Sequence, residues 1–351
     1  MNHNKFLSKI IFLMSCILFL GINMVNAQTI KSNKMSKKVL FVVTSHGELG
    51  NTGESTGYYL GEVTHPWAVL VDAGYEIDFV SPKGGNPPYY GNTPDDKVNE
   101  RFLADEYYQN KIQNTMTPSE VNPDEYVGIL YAGGHGTMWD FADNEELAVI
   151  AQKIYEKNGV VSAVCHGPAG LVNIKLSNGK YLVDGKKINA FTNEEEAAVK
   201  LDEVVPFRLE SKLIERGAKF EKSGLWQTHV TVDERVVTGQ NPQSAHAVGE
   251  AVLEELKKLQ VEAEALIASK KDQAIEDAYQ QILAIADKVG LTIEQLLEFG
   301  ATKRKKSTRK SVEPRYRSKA NPNDTWTGRG KQPRWLVAEL EKGAKLESFL
   351  I

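Results

Sequence analysis

What most constrains this chain is a set of short apolar, β-branched runs that recur between stretches of helical spacing. Residues 39–44 (VLFVVT), 75–80 (YEIDFV), 127–132 (VGILYA) and 160–164 (VVSAV) are the four clearest. A strand that is apolar on both faces must be covered on both, the condition found in the middle of a parallel sheet. Residues 145–157 have helical spacing between the last two runs. Such alternation predicts an α/β domain over residues 37–258, a parallel sheet covered by helices. Residues 82–94 are rich in Gly and Pro and read as a loop over the carboxyl edge of the sheet. A closing helix is expected over 244–259, after Asn241-Pro242.

A chain of 351 residues exceeds one domain of ordinary size, so a second unit is expected. The pattern changes near Gln260. Residues 261–299 carry Leu266, Ile275, Ile282, Ile285, Val289 and Leu296 at helical spacing among charges. Gly290 divides this stretch into a long and a short helix, with Thr292 as the N-cap of the second. Nothing near residues 259–262 reads as a linker; one helix runs into the next. Charge then shifts abruptly. Residues 301–335 hold twelve Lys/Arg and two acids, a local +10, which leaves the rest of the chain at −14 of its overall −4. An acidic body with a basic tail suggests two different partners. Residues 301–315 are read as a basic linker. Residues 316–351 have Trp326, Trp335, Leu336, Leu340 and Phe349 for a small core, marginal in so short a piece.

The first 27 residues are set apart from the fold. Lys5 and Lys9 precede an apolar run over residues 10–20, and Val25-Asn26-Ala27 offers small residues where a signal peptidase reads. A secretory signal with cleavage before Gln28 is expected. The run is too short for a comfortable membrane span, so no stable span is predicted. Cys16 lies inside that run and reads as filler; Cys165 is then the lone cysteine of the mature chain.

Cys165 sits where chemistry is expected. In 160–170 (VVSAVCHGPAG) an apolar strand leads into Cys-His-Gly and a stretch able to begin a helix. A nucleophile on a sharp strand-to-helix turn projects from the sheet edge. The helix dipole and nearby amides are expected to lower its pKa and favour the thiolate. The bland alternative is a buried structural cysteine. Residues 131–136 (YAGGHG) follow another strand, and their glycines would let amides approach a reacting oxygen. Glu62, in 61–66 (GEVTHP), falls at the start of the helix after the first strand, alone no more than a surface acid. In open α/β sheets these loops gather at one edge. The histidines outside this cluster are too scattered for a metal site, so no metal and no cofactor is expected. Were one bound, His65 and His135 would be the members.

Residues 37–258 resemble the ThiJ/PfpI superfamily, class I glutamine amidotransferase-like, nearest its heat-shock chaperone/glyoxalase III branch. The motifs are GEVTHPW (61–67), YAGGHGTMWDF (131–141), AVCHGPAG (163–170), FTNEEE (191–196) and VTGQNPQSAH (237–246). The resemblance implies a flavodoxin-like α/β fold with a nucleophile elbow. It implies Cys165 as nucleophile, His166 as its partner, Glu62 hydrogen-bonded to the cysteine, and Glu196 orienting the histidine, with Glu194 and Glu195 as rivals for that place. The Gly133 and Gly134 amides would form an oxyanion pocket. The implied activity is cofactor-free conversion of a reactive 2-oxoaldehyde such as methylglyoxal to lactate, or deglycation. Glu62 or His166 would shuttle the proton if burial draws their pKa values toward neutrality. Stress-chaperone and peptidase-like members leave an alternative open, in which the chain is a DNA-binding nucleoid organiser with such a domain attached.

The tail supports the DNA side of that choice. In 325–333 (TWTGRGKQP) two cations flank a glycine, a loop narrow enough for the minor groove of A·T-rich DNA. Residues 262–351 resemble the H-NS family of nucleoid-structuring proteins, through GLT (290–292), TWTGRGKQPRW (325–335) and LESFLI (346–351). The resemblance implies a small α+β DNA-binding domain. Arg329, Gly330 and Lys331 would be its groove-reading triplet, beside Trp326 and Gly328. It also implies homo-oligomerisation through the helices of 262–300. Lysine in the third place, where arginine is commoner, should weaken insertion. The two resemblances disagree about address. The signal predicts a periplasmic or secreted protein, whereas a DNA-binding tail fits the cytoplasmic nucleoid if the signal is nonfunctional.

Overall fold

A computed structural model describes residues 37–305 and 312–351. The expected signal peptide and residues 306–311 of the expected basic linker lie outside the described residues. The chain divides into two compact units, one ending at Leu266 and one beginning at Ile267.

The first unit contains β1 (Lys38–Val42), α1 (Leu60–Asp72), β2 (Glu76–Val80), β3 (Tyr126–Tyr131), α2 (Glu145–Glu156), β4 (Val160–Val164), β5 (Val230–Asp233), β6 (Val236–Gly239) and the start of α3 (Ala245–Val289). Its six-stranded sheet has the order β2-β1-β3-β4-β6-β5, parallel except where β5 turns back on β6. Setting that edge strand aside, the order is the flavodoxin type. Alternating side chains of each strand feed two separate cores. Val39 and Phe41 pack with Val63, Trp67 and Leu70 of α1 and with Val248, Val252 and Leu256 of α3. Leu40 and Val42 pack on the other face with Leu147, Ile150 and Ile154 of α2. All of these are essentially inaccessible to water, each such side chain contributing on the order of 2 kcal/mol.

Register places the working edge. Val42 lies opposite Tyr131, Tyr131 opposite Ala163, and Val164 opposite Gly239. The residues just after β3, β4 and β6 therefore meet at one carboxyl rim. The Gly/Pro-rich loop crosses this region and contributes one short pairing, Tyr89–Tyr90 beside Tyr58–Tyr59. One element departs from the expected layout. Residues 230–239 form a hairpin at the sheet edge. The closing helix expected over 244–259 and the long helix expected after it are one element, α3, of 45 residues, in keeping with the reading that one helix runs into the next.

In the second unit α4 (Ile293–Lys305) begins after Gly290, whose φ is +68°. Thr292 Oγ1 accepts from the Gln295 amide, and Gln295 returns a bond to the Thr292 amide, as its reading as an N-cap requires. Among the described residues of 261–302 only Ala286 is buried. Residues 312–351 form a two-residue antiparallel pair, Tyr316–Arg317 with Thr325–Trp326, and α5 (Arg334–Glu341). Leu336 and Phe349 are buried, and Trp335 packs on Phe349.

Candidate active site

Cys165 is the first residue after β4 and has φ +60°, a left-handed backbone that non-glycine residues seldom adopt. The surroundings hold it there. Its N–H donates to Gly239 O at 2.8 Å, and its carbonyl accepts from Phe191 N at 2.8 Å. Gly167 two residues on must be glycine, because a Cβ there would overlap the Tyr131 carbonyl. The chain after Cys165 forms only a short 3-10 turn, Gly167–Leu171, which corrects the expected helix and its dipole. Cys165 and His166 are both buried.

His166 Nδ1 lies 3.4 Å from Cys165 Sγ, and its Nε2 lies 2.7 Å from Glu196 Oε2. A carboxylate accepts only, so Nε2 carries the ring proton and Nδ1 presents a lone pair to the thiol. The ring is clamped between His135 at 4.1 Å and Phe191 at 4.3 Å between centroids. Burial, with His135 beside it, lowers the His166 pKa to about 4 against the pull of Glu196. Burial alone would raise Glu196, but the two imidazoles outweigh it and hold the carboxylate down to about 2. Three consecutive glutamates do three different things. Glu196 meets His166; Glu195 is buried and accepts from Thr192, Trp226, Gln240 and Asn241; Glu194 pairs with Lys222.

Glu62, in the first turn of α1, is completely buried beside the sulfur. Neither of its oxygens makes a well-formed hydrogen bond, and the groups that act on it are the Cys165 thiol and the Gly133 amide. Burial pushes its carboxyl up to about 8. Burial likewise drives the Cys165 thiol well above its ordinary range, with Glu62 adding to the rise and the Gly134 and His166 amides opposing it. The expected lowering by a helix dipole is therefore corrected. Two acids in one dry space cannot both ionise cheaply, so the pair holds a proton through neutral pH. While that proton is on Glu62, the carboxyl is a donor to the sulfur rather than a repelling charge.

The glycine pair needs the same care. A Cβ on Gly133 would collide with Glu62 Oε2 and the Val164 carbonyl, and one on Gly134 with the Gly57 carbonyl. The Gly133 amide faces Glu62 and the Gly134 amide faces the sulfur, so the two amides expected to form an oxyanion pocket meet different groups here.

Two further groups reach the site, His135, which the sequence singled out only as a candidate metal ligand, and Tyr90, which it did not single out. His135 Nε2 lies 3.0 Å from Glu196 Oε1, so one carboxylate holds two imidazoles. The Tyr90 hydroxyl accepts from the His135 amide and lies 3.2 Å from His135 Nδ1. His135 carried a signal, its place in the Gly-Gly-His-Gly turn after a strand; Tyr90, in the Gly/Pro-rich loop, carried none. Among the described residues, His135, His166 and Glu196 are the one group whose donor atoms converge within 4.8 Å, close enough to hold a metal ion. His65, the other histidine singled out, pairs instead with Asp96 at 2.8 Å.

In the second unit Arg329, Gly330 and Lys331 are all exposed. Gly328 and Gly330 have φ near +80°, and Trp326 Nε1 donates to the Arg329 carbonyl at 3.2 Å, closing the loop.

Fold and site together define an α/β protein with a strained cysteine elbow backed by a buried acid and a His–Glu pair. The chain belongs to the DJ-1/PfpI family, whose model matches residues 56–255. Residues 311–351 match the H-NS histone C-terminal domain. The glutathione-independent glyoxalase HSP31 of Saccharomyces cerevisiae is 34% identical over 237 residues, 63% of this chain and 98% of that protein. Among solved structures, Rapid Encystment Protein 24 KDa of Francisella tularensis is 43% identical with a TM-score of 0.61, covering 62% of this chain and 98% of that one. Glyoxalase III of Candida albicans is 32% identical with a TM-score of 0.58, covering 62% and 96%.

Proposed function

We propose that the first unit is a cofactor-independent glyoxalase III-type enzyme that converts methylglyoxal to lactate. The observation that carries this reading is the buried Glu62 carboxyl against the Cys165 thiol, with His166 oriented by Glu196; the glyoxalase relatives support it. The thiol proton passes to His166 Nδ1 as sulfur attacks the aldehyde carbon, and the Glu62 carboxyl gives its proton to the resulting alkoxide, leaving a hemithioacetal and a carboxylate. Glu62 as carboxylate removes the proton from that carbon while His166 protonates the neighbouring carbonyl oxygen, giving an enediol. Glu62 then returns its proton to the second carbon as His166 takes the first hydroxyl proton, leaving a thioester of lactate on Cys165. Water then releases lactate and restores the thiol. A carboxyl that titrates near 8 serves as both base and acid near neutral pH. In this reading the Gly134 and His166 amides, which face the sulfur, stabilise the alkoxide that forms beside it. The test is lactate release from methylglyoxal by the full chain and by Cys165→Ala. The variant should lose activity by about a hundredfold or more; equal rates overturn the reading.

The second unit is read as a binder of A·T-rich DNA. The exposed Arg329-Gly330-Lys331 loop, stiffened by the Trp326 bond, favours it, with Arg329 and Lys331 entering the minor groove. Exposed apolar side chains at Val261, Ile267, Ile275 and Leu297 suit pairing with a second copy. The organisation that fits these functions is a signal over 1–27, a catalytic domain over 37–258, an oligomerisation segment over 262–300, a basic linker over 301–315 and a DNA-binding domain over 316–351. Fractionation with N-terminal sequencing tests the compartment: Gln28 at the mature terminus supports export, and Met1 a nucleoid location.

A further inference from the structure

We propose that His135, His166 and Glu196 form a binding site for a borderline divalent cation such as zinc, and that occupancy switches the cysteine site off. The donors are two imidazole nitrogens and a carboxylate, a set that suits zinc with one position left for water. Nε2 of each histidine already lies 2.7–3.0 Å from a Glu196 oxygen, and the three ligand atoms fall within 4.8 Å of one another. Neighbouring ligand atoms around tetrahedral zinc are about 3.3 Å apart, so the two nitrogen–oxygen pairs would open by a few tenths of an ångström while the widest separation in the cluster, within 4.8 Å, would close. The His135 side chain keeps 14% of its surface exposed and gives the otherwise buried group a side from which an ion can enter.

Binding requires both Nε2 lone pairs, so each ring must move its proton to Nδ1 with no net proton lost. For His135 this is accommodated, because its Nδ1 faces the Tyr90 hydroxyl, which can accept as readily as donate. For His166 the change is disabling. Its Nδ1 faces Cys165 Sγ, and a proton there fills the position that must accept the thiol proton. The sulfur lies on the Nδ1 side of the ring and is not one of the three donors. Zinc would thus act by fixing the wrong tautomer and not by capping the thiol. Metal binding stands on geometry alone; the loss of activity rests on the glyoxalase reading.

The test dialyses the full chain and three variants against zinc and measures metal retained per chain. Wild type and Cys165→Ser should each retain about one zinc more than His135→Asn and Glu196→Gln. Loss of zinc in Cys165→Ser, or equal zinc in all four, overturns the proposal. A second measurement needs no variant: cobalt(II) bound to the wild type should show no sulfur-to-metal charge-transfer band, and such a band overturns the assignment of ligands. Activity is read separately. Lactate release that falls with added zinc and returns with EDTA supports the tautomer switch, and release indifferent to bound zinc refutes it. A wild type that makes no lactate without zinc sinks the glyoxalase reading while leaving the retention result standing.

Discussion

At the scale of single residues, Glu62 is the costliest group in the site, an acid with no water and no full hydrogen bond. Its carboxyl titrates near 8 folded and near 4.5 free, so between these values the folded state holds more protons than the unfolded one. Stability from this group is complete below the free value and declines as pH rises toward 8. His166 works the opposite way, its folded value near 4 lying below the free value of 6.5, so its contribution is present above 6.5 and lost as pH falls. Between pH 6.5 and 8 the Glu62 effect stands clear of His166. Thermal melts should show the wild-type midpoint falling across that window and Glu62→Gln flattening the fall; parallel slopes would refute the shifted carboxyl. Cys165 and its neighbours were legible because a strand, a lone cysteine and a His-Gly pair leave a local trace. Tyr90 left none, since its role depends on where a long irregular loop crosses the rim. The pKa of the thiol was misread for a similar reason: a dipole can be guessed from a following helix, but burial and a remote acid cannot.

Elements are held by contacts that glycine makes possible. A Cβ on Gly249 of α3 would stand 2.7 Å from Pro66 Cα in α1, so the two helices approach closely at that point. Gly300 in α4 has nothing within 4 Å of the same position. Glycine to alanine in a helix interior gains roughly 0.5–1 kcal/mol when there is room. Gly300→Ala should therefore raise helix content and the melting point of the second unit slightly. Gly249→Ala should destabilise the first unit by about 1–3 kcal/mol, because a backbone neighbour cannot swing away. Urea titration read by circular dichroism checks both, and stabilisation by Gly249→Ala would contradict the close α1–α3 packing. The parallel strands were legible as doubly apolar runs, as was the break at Gly290. The β5–β6 hairpin was not among the expected strands although its Val/Thr content is strand-like, because its two runs are only four residues each and are joined by a charged turn at Glu234-Arg235. That the closing helix runs into the next one was legible as well. Its apolar face fades after Leu256, while nothing in the local sequence stops the helix until Gly290.

On the scale of the whole molecule, charge and chemistry fall in different units. Truncation after Gly300 should leave lactate production intact and abolish binding to A-tract DNA; unchanged DNA affinity would remove the tail from that role. In the full chain Arg329→Ala should weaken binding on the order of tenfold, and affinity should fall steeply with added salt, as measured by fluorescence anisotropy at two ionic strengths. The sequence by itself determined the sheet, the position of the cysteine elbow, the family and the basic loop, because each is written in residues adjacent along the chain. Tertiary structure decided which of three glutamates meets His166, that His135 and Tyr90 join it, and that Glu62 and Cys165 share one buried space that favours the neutral form of both. Those facts depend on distances between segments tens of residues apart and on the exclusion of water, which no local pattern records.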